Sequence, residues 1–111
     1  MKLSEIKGER TLDVIAEIID PIVSIATDEE AAKLFKREKT PEGMTSWQFF
    51  LTKVRESLPT LVRSHKAELV KILATIKGVS DEEYMEELTF PSLIHDLTEL
   101  VTDAEFVSFF G

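Results

Sequence analysis

The chain contains no cysteine, which excludes disulfides, thiolate zinc sites and thiol nucleophiles. Glycine and proline are sparse, four of each in 111 residues, so a low-complexity disordered chain does not fit. No apolar run approaches the ~18 residues of a spanning helix. The opening "MKLSEIKGER" has no apolar core of signal-peptide type. By elimination, a cytoplasmic location is expected. Positive charge is missing from one region altogether. From Gly78 onward there is neither Lys nor Arg, while Asp81, Glu82, Glu83, Glu86, Glu87, Asp96, Glu99, Asp103 and Glu105 all fall there. The net charge is −8, and that third would repel phosphate backbones and anionic lipid. Neither a nucleic-acid nor a membrane partner is expected. Basic residues between Lys33 and Lys77 alternate with acids and apolar positions, as on solvated helix faces, and form no clustered patch.

What the sequence does contain is helical periodicity. With 43% hydrophobic and 31% charged residues, residues 1–111 read as a single globular domain. Residues 1–9 are a candidate flexible lead-in and 38–44 a loop, punctuated by Pro41 and Gly43. In "RTLDVIAEIIDPIVSIAT" the positions Leu12, Ile15, Ile19, Ile22, Val23 and Ala26 follow the spacing of one helix face. Pro21 predicts a kink or break near Asp20. Thr27 with Glu30 has capping-box spacing, and Ala31, Leu34 and Phe35 would face inward. Thr45 with Gln48 opens "TSWQFFLTKVRES", carrying Trp47, Phe50, Leu51 and Val54. Pro59 either starts a further helix or kinks a continuous one. "TLVRSHKAELVKILATIKG" has the stripe Leu61, Val62, Leu69, Ile72, Leu73 and Ile76, and ends at Gly78, a left-handed cap. Ser80 with Glu83, then Thr102 with Glu105, predict two more caps, and "FPSLIHDLTELV" turns Leu93, Ile94, Leu97, Leu100 and Val101 inward. No strand-like alternation competes. The expected fold is all-α, a compact bundle of about five to seven short helices.

Candidates for chemistry are weak. A metal would need His65 and His95, the only histidines, to converge with carboxylates such as Glu68 or Asp96. His65 lies between Ser64 and Lys66, where an exposed or half-buried ring is the simpler reading. The acids of "SDEEYMEEL" lack the alternating ligands and central Gly of a calcium loop, and suit a dipole-matched helix start. No carboxylate pair stands out for acid–base work. No catalytic residue, cofactor or metal site is assigned, and a non-enzymatic role is expected.

Aromatics point elsewhere. Successive helix positions are turned by ~100°, so Phe49 and Phe50 cannot both face one narrow core stripe, nor can Phe109 and Phe110. One ring of each pair is expected in the core and one partly exposed. Trp47, Phe49, Phe50, Phe106, Phe109 and Phe110 are therefore the candidate partner-binding residues, for a client or for self-association.

Three stretches, "MKLSEIKGERTLDVIAEIIDPIVSIA", "SHKAELVKILATIKGVSDEEYMEELT" and "LVTDAEFVSFF", resemble the small tail assembly chaperones of long-tailed bacteriophages and prophages, especially those of Gram-positive hosts. The resemblance covers most of the chain and rests on segment order; "KTPEGMTSWQFF" matches least. It implies a non-enzymatic protein that keeps the tape measure protein soluble, recruits tail tube subunits, and is absent from the mature virion. It also implies a second, longer form made by ribosomal frameshifting, for which a thymine run encoding Phe109-Phe110 would be the slippery site. Two alternatives stand beside it: a structural head–tail connector or other small virion protein, and an acidic interaction or regulatory protein.

Overall fold

The computed structural model describes residues 2–111, and cap chemistry sets where its helices begin. Gln48 N–H donates to Thr45 Oγ1 at 3.1 Å while Thr45 N–H donates to Gln48 Oε1 at 2.9 Å. This reciprocal box opens the longest helix. Ser80 Oγ accepts from Glu83 N–H, as its spacing predicts. Two caps differ from expectation. Asp28, not Thr27, accepts from Ala31 N–H, because the Thr27 hydroxyl turns back to the Val23 carbonyl. Asp103, not Thr102, accepts from Glu105 N–H, and the Thr102 hydroxyl donates to the Thr98 carbonyl. In both cases threonine closes one helix and the following aspartate opens the next.

The helices are α1 (Glu9–Ala26), α2 (Glu29–Ala32), α3 (Ser46–Lys77), α4 (Asp81–Glu87), α5 (Phe90–Val101) and α6 (Ala104–Val107), with single 3-10 turns at Leu3–Glu5 and Ser108–Phe110. No strand occurs among the described residues, so the chain is all-α. The helices are not all short. At 32 residues, α3 joins two stretches that the sequence presents as separable. Pro59 sits inside it at an exposed position, where water can satisfy the Arg55 carbonyl that lost its donor. Helical geometry lapses instead at His65, with φ −134° and ψ 28°. Likewise α1 runs unbroken through Pro21, so of the kink or break expected near Asp20 the break does not occur.

The core forms where α1 and α2 pack on α3, with α4 against the far end of α3 and α5 leading into α6. Helix α1 buries Val14, Ile18, Ile22 and Ile25. That row is rotated from the expected face: Leu12 is 73% exposed and Val23 51%. Both rows obey three-four spacing, so periodicity alone does not choose between them. Ser57, fully buried on α3, donates to the Ala31 carbonyl at 2.8 Å. Asp103, also buried, accepts from Ser4 N–H at 3.0 Å. It thereby ties the first turn, which buries Leu3, to α6.

The lapse in α3 is held by a junction of three helices. His65 Nε2 lies 2.8 Å from Asp28 Oδ2, and its Nδ1 lies 3.4 Å from Glu68 Oε1. Each ring nitrogen thus faces a carboxylate oxygen, one contributed by the cap of α2 and one by α3. Ser24 of α1 donates to the same Glu68 oxygen at 3.2 Å. His65 is buried, where an exposed or half-buried ring was expected; the break in α3 lets it turn inward to these partners. The Asp28 carboxyl is held below its ordinary value, chiefly by its hydrogen bond with His65 and then by the Ala31 amide. Glu68 is lowered first by its own backbone amide, with His65 and Ser24 adding to it against burial. Depressed carboxylates stabilise a fold above their ordinary range and lose that contribution as pH falls through their folded-state values. Thermal stability followed by circular dichroism should therefore decline once pH drops through the ordinary values of 4.5 for Glu68 and 3.8 for Asp28. Asp28→Asn keeps a cap acceptor but removes the charge, so its acid decline should be shallower. An unchanged slope would remove the junction from this account.

Candidate functional site

The six aromatic candidates divide according to helical geometry. Phe106 and Phe110, four residues apart, share a face and are buried. With Phe35 they form a closed trio, ring centroids 5.1 to 5.4 Å apart. Phe50 is buried as well. These three rings are part of the core in this fold. Phe109 is turned away and is 38% exposed, Trp47 is 52% exposed, and Phe49 is half-buried. Trp47 stacks on Phe50 at 5.4 Å. Each adjacent pair thus has one ring inside and one at least partly outside, as the rotation per residue requires.

Sequence reasoning missed a longer feature. On α3 the residues Trp47, Leu51, Val54, Leu58 and Val62 recur at intervals of four, three, four and four, which places them in one row. Trp47, Leu51 and Val62 are exposed, while Val54 and Leu58 are half-buried against the core. At ~1.5 Å rise per residue the row runs about 22 Å. A second row, Leu12, Ile15, Ile19 and Val23, flanks the buried face of α1 and ranges from half-buried to exposed. The available signal was width. Both helices carry an apolar arc broader than a single packed stripe; the sequence put Val62 in the stripe of its helix and Leu51 only among the apolar residues carried.

Polar groups near these surfaces are engaged in structure. Lys53 Nζ donates to the Lys36 carbonyl at 2.8 Å and sits 5.1 Å from the centre of the Phe49 ring. Burial pushes the Lys53 ammonium down, against the attraction of Glu38. It stands in a cleft of about 170 Å³ with Phe35, Phe49, Phe50 and Val107, where its hydrogen bond anchors the segment after α2. Tyr84 donates its hydroxyl to Asp96 at 2.6 Å, and Lys77 approaches the same carboxylate at 3.7 Å. Burial first, then Asp96, raises the Tyr84 phenol far above its ordinary value, leaving it a donor. His95 is exposed and meets Glu99 at 2.7 Å along α5. His65 and His95 are held by separate partners and do not converge. No group of three or more metal-binding side chains occurs among the described residues, nor is any helix there long and apolar enough to cross a membrane. What the surface offers is apolar contact area on a rigid helical frame.

Comparison with protein-family models, curated proteins and solved structures finds no match for the chain.

The division of the rings is open to direct measurement. Phe106→Ala removes a fully buried ring and should cost about 3–5 kcal/mol in denaturant unfolding. Trp47→Ser or Phe109→Ser should each cost about 1 kcal/mol or less, with helicity retained. Comparable losses at Phe106 and Phe109 would contradict the assignment.

Proposed function

We propose that this chain is a tail assembly chaperone of the long-tailed phage type. It acts without catalysis, covering apolar stripes on a long helical client, the tape measure protein, and bringing tail tube subunits to it. The observation that carries the reading is the row from Trp47 to Val62, an extended apolar edge on a helix whose other face is sealed by α1 and α2. An exposed helical row of this length matches one side of an amphipathic client helix, which presents its own anchors at the same spacing. The net charge of −8 supports the same role, since mutual repulsion keeps protein and complex dispersed while apolar surface is exposed. Contact made by a few partly exposed side chains is modest in strength, which suits a partner that must be released during assembly. Many weak copies along one long client provide the overall hold.

Co-expression with the long helical product of the neighbouring tail gene tests the reading. The soluble fraction of that client should rise in the presence of this chain. The triple variant Trp47→Ser, Leu51→Ser, Val62→Ser removes on the order of 1 kcal/mol of apolar contact per site. It should weaken binding on the order of a hundredfold while leaving the circular dichroism spectrum intact. Mass spectrometry of purified virions should not detect the chain. A client equally insoluble with and without it, or a stoichiometric presence in virions, would refute the proposal.

A further inference from the structure

Beyond Val62 the exposed row of α3 runs into a groove of about 160 Å³ between that helix and the α4–α5 segment. One wall is Val62, Leu69 and Val70; the other is Met85, Leu88 and Leu93. The lining is almost wholly apolar, with Lys66 and Tyr84 as its polar residues. Met85 is 47% exposed, and Phe90, two residues beyond Leu88, is 73% exposed. The flexible thioether of Met85 is an adaptable lining for side chains of varied shape. Charge distinguishes the two walls. Helix α4 carries Glu82, Glu83, Glu86 and Glu87 at exposed positions around Met85, and the chain has no Lys or Arg after Lys77. Lys66 stands on the α3 side.

We infer that this groove receives an amphipathic helix from another protein, apolar on the face that enters and rich in Lys or Arg on the flank that lies along α4. Resting on the chaperone reading for its occupant's helical form, the inference adds where that helix docks and which charge it carries. Charge complementarity selects this occupant. A second copy of this chain would bring another −8 and its own acidic α4 to the same place, and an anionic lipid surface would meet like charge.

A synthetic peptide of about 18 residues, with Leu at helical three-four spacing and Lys elsewhere, is the probe. Its Leu/Glu counterpart and a scrambled Leu/Lys peptide serve as references. Titration calorimetry should show the amphipathic Leu/Lys peptide binding at least about tenfold more tightly than either reference. Met85→Lys and Val62→Lys should each weaken that binding about tenfold. Leu12→Lys makes the same charge change at a still more exposed site on α1 and should leave affinity nearly unchanged. Equal binding of the scrambled peptide, or equal weakening by Leu12→Lys, would reduce the effect to bulk electrostatics and overturn the inference. Sedimentation showing a free dimer that Met85→Lys dissociates would overturn it in favour of a second copy. Client solubilisation that survives Met85→Lys would sink the groove and spare the chaperone reading. Peptide binding without client solubilisation would do the reverse.

Discussion

A helix whose apolar arc is wider than its neighbours can cover must leave part of that arc in water, and this constraint shapes the molecule. Helix α3 is the spine. Its inner side buries Phe50, Leu61, Leu69, Ile72 and Ile76, and α1, α2 and α4 together leave the flank from Trp47 to Val62 uncovered. Helix α1 repeats the pattern on a smaller scale, with Val14, Ile18, Ile22 and Ile25 inside and Leu12 and Val23 outside. Full burial of one such side chain is worth about 1.5–3 kcal/mol, so leaving several exposed forgoes a sizeable part of the stability available to a small domain. Polar satisfaction elsewhere is complete: among the described residues no buried side-chain nitrogen or oxygen lacks a partner.

Electrostatics and break geometry fix how that apolar surface is presented. The lapse at His65 divides α3 into a first segment bearing the open row and a second bearing most of the groove wall, with Val62 shared by both surfaces. Asp28, the cap of α2, and Glu68 of α3 hold the ring at that point, and Ser24 of α1 donates to Glu68 in turn. The relative direction of the two apolar surfaces is thus set by a hydrogen-bonded junction. Farther along, Tyr84, Asp96 and Lys77 bind α4 to α5 and to the end of α3. This keeps the acidic helix beside the groove. Negative charge therefore sits next to apolar surface, an arrangement that limits self-association while leaving room for a partner of opposite sign.

Helix content and most of the core were legible in the sequence, for reasons visible at single residues. Thr45 with Gln48, Ser80 and Gly78 act at helix ends as their chemistry dictates. Leu61, Leu69, Ile72, Leu97 and Leu100 are buried as their spacing suggests. Three features were not legible. The choice between Thr27 and Asp28, or Thr102 and Asp103, depends on where the preceding helix stops, since threonine can serve either end. The inward row of α1 depends on which flank α3 covers, a tertiary matter. The inward turn of His65 depends on Asp28, 37 positions away. Of the candidate site, the split within Phe49-Phe50 and Phe109-Phe110 followed from helical rotation. The core position of Phe106 required Phe35 to be known as its partner. The apolar row of α3 was hidden because exposed Leu51 and Val62 look like core residues until the neighbouring helices are in place.

The central claim is that the uncovered flank of α3 is where the client makes contact. Methyl-labelled nuclear magnetic resonance of this chain, titrated with the soluble co-expressed client, tests it most directly. The account predicts shifts or broadening concentrated at Leu51, Val54, Leu58 and Val62, with Val14, Ile18 and Ile22 in the sealed interior unaffected. Perturbation confined to α1, or absent from the α3 row at saturation, would contradict it.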